Sequence, residues 1–74
     1  MTQINVKPPF IKLEQFLKFA GAVATGGEAK NLIGDGLVKL NGEVCLMRGK
    51  KLFNGDVAEI CNGSGEKYEC LIVQ

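Results

Sequence analysis

Arg48, Lys50 and Lys51 place three cations within four consecutive positions. Some twenty residues earlier stands Thr25-Gly26-Gly27-Glu28, a helix start with two side-chain-free residues directly behind a hydroxyl cap. Both features suit the same chemistry, the holding of an anion. Backbone N–H groups at a helix start point at a bound phosphate, and the helix dipole favours its charge. Lys30 follows one helical turn later and Lys39 lies on the strand beyond. If helix and strand pack together, Lys30, Lys39, Arg48, Lys50 and Lys51 form one patch. Gly49-Lys50-Lys51 is no nucleotide-phosphate loop, because Leu52 stands where a Ser or Thr would be needed to hold magnesium.

The residues for other chemistry are missing. The chain has no histidine, and Cys45, Cys61 and Cys70 contain no C-x-x-C spacing. That removes the usual zinc frameworks and the Cys–His nucleophile pair, and leaves three reduced thiols acting as small apolar strand residues. Glu14 and Glu28 have local helix roles, and Asp56 follows a turn glycine. With no nucleophile, base and orienting group in reach of one another, the expectation is a protein that is not an enzyme and carries neither metal nor cofactor.

The elements that would position these cations follow from spacing. Ile4 and Val6 alternate in a short edge-strand pattern that Pro8-Pro9 ends. Leu13, Phe16, Leu17 and Ala20 recur at i, i+3, i+4 and i+7, one apolar helix stripe, with Gly21 suited to the left-handed cap. Thr25 and Glu28 match a reciprocal capping box for a second helix, in which Glu28 reaches back to the Thr25 N–H. Its apolar face is Ala29, Leu32 and Ile33, and it should end near Gly34–Gly36 with Gly36 as cap. Val38 and Leu40 then flank Lys39 ahead of Asn41-Gly42, the strongest two-residue hairpin signal, with a return strand through Val44 and Leu46. Further turns at Asn54-Gly55-Asp56 and Asn62-Gly63-Ser64-Gly65 bound strands over Val57–Cys61 and Tyr68–Val73. The predicted core is Leu13, Phe16, Leu17, Ala20, Ala29, Leu32, Ile33, Val38, Leu40, Val44 and Ile60. These elements make one α+β domain over 1–74: two packed helices followed by a small twisted antiparallel sheet.

Charge distribution supports an anionic partner more than the net charge of +1 does. From Lys12 to Lys51 seven basic residues face four acidic ones, a balance of +3; from Leu52 to Gln74 the balance is −3. No apolar run approaches the ~20 residues of a membrane span, and none has signal-peptide form, so a cytoplasmic protein without membrane contact is expected.

Four motifs in this order, Lys12-Leu13-Glu14-x-x-Leu17, Glu28-Ala29-Lys30-x-x-Ile33, Gly36-x-Val38-x-Leu40-Asn41-Gly42 and Gly55-Asp56-x-Ala58-x-Ile60, resemble the RNA-binding domain named after ribosomal small-subunit protein four. The resemblance spans about 12–60. Gly26-Gly27 and Arg48-Gly49-Lys50-Lys51-Leu52 resemble its short stand-alone bacterial branch, of the YaaA/YbcJ type. It implies the αL motif and structured RNA, ribosomal or tRNA, held by the second helix and adjoining loops. Lys12 falls where that family usually carries arginine, Lys30 at an often basic position, and Lys39 within the V-K-L-N-G element. Many members open the second helix with Ser-Arg; here it is Thr25-Gly26. The expected RNA contacts are therefore Lys12, Lys30, Lys39, Arg48, Lys50 and Lys51, with backbone N–H groups from Gly26 and Gly27, on a monomer. The alternative is a protein-interaction module docking on a ribosomal or replication protein.

Overall fold

A computed structural model describes residues 2–61 and 65–74. The order is β1 (Thr2–Asn5), β2 (Ile11–Lys12), α1 (Leu13–Phe19), α2 (Gly26–Gly34), β3 (Val38–Leu40), β4 (Glu43–Val44), β5 (Lys51–Leu52), β6 (Val57–Cys61) and β7 (Lys67–Val73). Five strands form one sheet in the order β1-β7-β6-β3-β4, and β2 pairs with β5 in a separate antiparallel ladder.

The sheet is not wholly antiparallel, nor do the helices simply precede it. The first strand is N-terminal, and β1 runs parallel to β7, Thr2 opposite Cys70 through Asn5 opposite Val73. The edge strand expected from Ile4 and Val6 thus exists, as the outermost strand beside the C-terminal one. The third glycine-rich turn, 62–65, lies outside the described residues apart from Gly65.

Both helices end as their glycines dictate. Gly21 (φ 79°) and Gly36 (φ 75°) adopt the left-handed conformation. After α1, Ala22 N–H donates to Leu17 O at 2.9 Å and Gly21 N–H to Lys18 O at 3.1 Å; after α2, Leu37 donates to Leu32 at 3.2 Å and Gly36 to Ile33 at 3.1 Å. This paired pattern satisfies carbonyls that would otherwise be orphaned. At the start of α2, Glu28 N–H donates to Thr25 Oγ1 at 3.2 Å, whereas the Glu28 carboxylate accepts from Ala24 N–H at 3.5 Å, one residue beyond the expected Thr25.

One sheet face carries the helices. Leu13, Phe16, Leu17, Ala29 and Ile33 pack on Val38, Leu40, Ala58, Ile60, Cys70 and Ile72, closed by Val6 and Leu52. Each large apolar side chain fully buried here contributes about 1.5–3 kcal/mol. The same burial pushes the Cys70 thiol above its ordinary pKa. Ala20 and Leu32 lie at the core margin.

Val44 was expected inside and is 51% exposed. The two-residue turn at Asn41 (φ 51°) and Gly42 (φ 89°) fixes the reason. It sets Leu40 opposite Glu43 and Lys39 opposite Val44. Directly opposed residues share a face, so Val44 joins Lys39 on the outer one. The return strand is also shorter than expected. Cys45 N–H still reaches Val38 O at 2.9 Å; Leu46 and Met47 then leave the ladder as the chain turns toward the start of α1.

Candidate nucleic-acid interface

That departure builds the site. Lys12, at the start of α1, offers no side-chain cap. The first amides of the helix are satisfied from the basic loop: Leu13 N–H donates to Lys50 O at 2.8 Å and Glu14 N–H to Arg48 O at 3.1 Å. Lys50 N–H closes the loop on Met47 O at 3.2 Å. Backbone carbonyls of the loop thus brace the helix while the side chains of Arg48, Lys50 and Lys51 stay exposed. Cations on an anchored backbone lose less conformational freedom on meeting a ligand than cations on a free loop.

The short β2–β5 ladder continues the site, placing Ile11 opposite Leu52 and Lys12 opposite Lys51. Two like charges directly opposed across a strand pair destabilise the free protein, and an anion between them would relieve that repulsion. Lys30 and Arg48 line a common groove of about 360 Å³ with Asn31, Gly34, Asp35 and Leu46. The loop therefore lies between α1 and α2, and Lys12, Lys30, Arg48, Lys50 and Lys51 come from four segments onto connected surface. Among the described residues, none of the five takes part in an ion pair.

Lys39 stands elsewhere. It lies opposite Glu59 on the outer sheet face, and the two share a groove with Lys67, whose Nζ is 3.7 Å from Glu59 Oε1. The single patch expected from the sequence is thus a cluster of five with Lys39 apart, because alternation along β3 sends Lys39 away from the helices while Val38 and Leu40 face them. Gly26 and Gly27 occupy the exposed first positions of α2. A Cβ at Gly26 would meet nothing within 4 Å, and at Gly27 only Thr25 Oγ1 at 3.9 Å, so packing does not require glycine at either.

Two aromatic residues escaped the sequence reading. Phe10 and Phe53 lie with ring centroids 6.1 Å apart, and Lys51 Nζ sits 4.7 Å from the Phe10 centroid. Their signal was adjacency: Phe10 follows Pro8-Pro9, and Phe53 separates the basic cluster from Asn54-Gly55.

The turn after Phe53 completes the frame. Asp56 accepts from Phe53 N–H at 2.8 Å and from Asn41 Nδ2 at 3.2 Å, while Val57 N–H donates to Asn41 Oδ1 at 3.0 Å. The Asn-Gly hairpin and the Gly-Asp turn are therefore one hydrogen-bonded unit, which accounts for these two motif elements occurring together. A family model for the S4 domain matches residues 4–70 of the chain. The chain belongs to the S4 domain family. The S4 match extends beyond the motif span of 12–60 at both ends, taking in the second half of β1 and β7 as far as Cys70. A similar protein is the "Probable ribosome maturation protein RlbA" of Bacillus subtilis (strain 168), 42% identical over 57 residues, covering 77% of this S4 chain and 80% of the relative. Among the described residues no group of acidic or cysteine side chains could hold a metal ion, and no helix is long and apolar enough to cross a membrane.

Proposed function

We propose that this S4 domain binds structured RNA of the ribosome as a monomer, without catalysis, by gripping the phosphate backbone with Lys12, Lys30, Arg48, Lys50 and Lys51. The observation that carries the reading is a basic loop whose backbone is fixed to α1, with Lys12 opposite Lys51 and Lys30 sharing a groove with Arg48, none of the five cations being in an ion pair among the described residues. The name of the Bacillus subtilis relative supports a role in ribosome maturation. A-form RNA hides its major groove, so a domain this small reads phosphates, 2′-hydroxyls and irregular features rather than paired base edges.

The deciding experiment is a titration of ribosomal RNA fragments at several salt concentrations. Four to five phosphate contacts give a log–log slope of about −3 to −4.5, at roughly 0.7–0.9 per contact. A slope near zero would remove the electrostatic mechanism.

The N–H groups of Gly26 and Gly27 add a phosphate contact at the start of α2. Gly27→Asp tests it separately. A Cβ at Gly27 meets only Thr25 Oγ1 at 3.9 Å, and a carboxylate there adds about 0.3–1 kcal/mol of helix stability through the dipole yet repels phosphate. The expected result is several-fold weaker RNA binding with an unchanged or raised melting temperature; a stable variant with parental affinity would discard this contact.

A further inference from the structure

Exposed large apolar residues scattered singly are ordinary on a small protein. Here Val44, Leu46, Met47 and Phe53, between 48% and 65% exposed, line one groove of about 590 Å³ together with Lys50, Lys51 and Glu43. A groove that mixes exposed apolar side chains with cations suits a ligand having both an apolar face and a negative charge, and the volume lies within the range that takes a small organic ligand.

We infer that this groove receives an unpaired base of the RNA, stacked on the Phe53 ring, while its flanking phosphate meets Lys50 and Lys51. The inference rests on the RNA-binding reading above and adds what kind of RNA is bound: a helix interrupted by an extruded base rather than a continuous duplex. Three observations converge. The aromatic surface adjoins the phosphate-binding cations, since Lys51 lines the groove with Phe53 and also lies over Phe10, itself 6.1 Å from Phe53. Aromatic side chains interleaved with cations serve single-stranded RNA, the ring taking the base face and the cation the backbone. Glu43 within the groove repels phosphate, so the interior suits a base, whose amino group the carboxylate can accept from, and the cationic rim suits the backbone. The main chain at Phe53 is also fixed, through its N–H bond to Asp56 at 2.8 Å, so little backbone freedom is lost on stacking.

The test uses the full chain and two RNA hairpins of equal length, one fully paired and one carrying a single bulged 2-aminopurine. The parent protein should prefer the bulged hairpin about ten-fold, as expected for stacking one base, and should quench the 2-aminopurine emission. Phe53→Ala should abolish preference and quenching while keeping the affinity and salt slope for the paired hairpin. Phe53→Tyr should restore both, and Phe53→Leu, which keeps apolar bulk without a π face, should not. Equal binding of the two hairpins by the parent, or a preference that survives in Phe53→Ala, overturns stacking and leaves phosphate binding intact. If Phe53→Ala binds both hairpins as the parent does but no longer cosediments with ribosomal subunits, the groove is a protein-docking surface and the stacking proposal falls. If the parent binds neither hairpin nor any ribosomal RNA fragment, the RNA-binding reading itself fails.

Discussion

Replacing Arg48, Lys50 and Lys51 together by alanine should lower affinity for structured RNA by about a hundred-fold at 0.15 M salt and leave the domain folded. The magnitude follows from counterion release. Three phosphate contacts, each contributing about 0.7–0.9 to the log–log slope, amount to roughly two decades between 1 M and 0.15 M salt, and the slope itself falls by about 2–3. The fold survives because the loop serves α1 through the carbonyls of Arg48 and Lys50, which alanine keeps. The Lys51–Phe10 contact, about 0.5–1 kcal/mol at an exposed site, is lost, but so is the repulsion between Lys12 and Lys51. Lys39→Ala is the internal control: from the outer sheet face it should change affinity less than two-fold. Binding titrations at three or more salt concentrations, with a thermal melt of each variant, check all of this. A triple variant within three-fold of the parent would mean that the loop cations are merely solvated.

The second large effect is on stability, and it centres on Asn41. Asn41→Ala should destabilise the domain by about 2–3 kcal/mol. Two side-chain hydrogen bonds disappear, one to Asp56 and one from the Val57 N–H, each worth about 1 kcal/mol. A residue with an ordinary Cβ must also hold φ at 51°, a left-handed conformation costing roughly another 1 kcal/mol. For a domain of this size the melting temperature should drop by roughly 10–20 °C. Asn41→Gly separates the contributions: it keeps the backbone freedom, loses only the hydrogen bonds, and should fall between parent and alanine variant. Asp56→Ala should be non-additive with Asn41→Ala, because the two residues share a bond. An Asn41→Ala protein within 0.5 kcal/mol of the parent in urea denaturation would show that the hairpin needs no tie to the Gly-Asp turn.

Asn41 also shows how much of the molecule was readable in advance. The sequence determined what acts over a few residues. Helix stripes, the Thr25 cap, the two glycine ends and the two-residue hairpin all depend on contacts within about five positions, and each stands where its spacing put it. The ordered motifs pointed to the family, and the residue types made anion binding the expected chemistry. What spans long stretches of chain was decided by the tertiary structure alone. The pairing of β1 with β7 joins residues nearly seventy apart; no local pattern encodes that choice, which brings Val6, Cys70 and Ile72 into the core. Leu52 and Ala58 became buried through packing that a two-residue strand and a single small side chain cannot announce. Register turned Val44 outward and separated Lys39 from the other cations. Finally, the basic loop reads from sequence as a set of candidate phosphate contacts, with no sign that its carbonyls cap α1. The uncapped helix start at Leu13 needed acceptors, and only folding could bring the carbonyls of Arg48 and Lys50 to it.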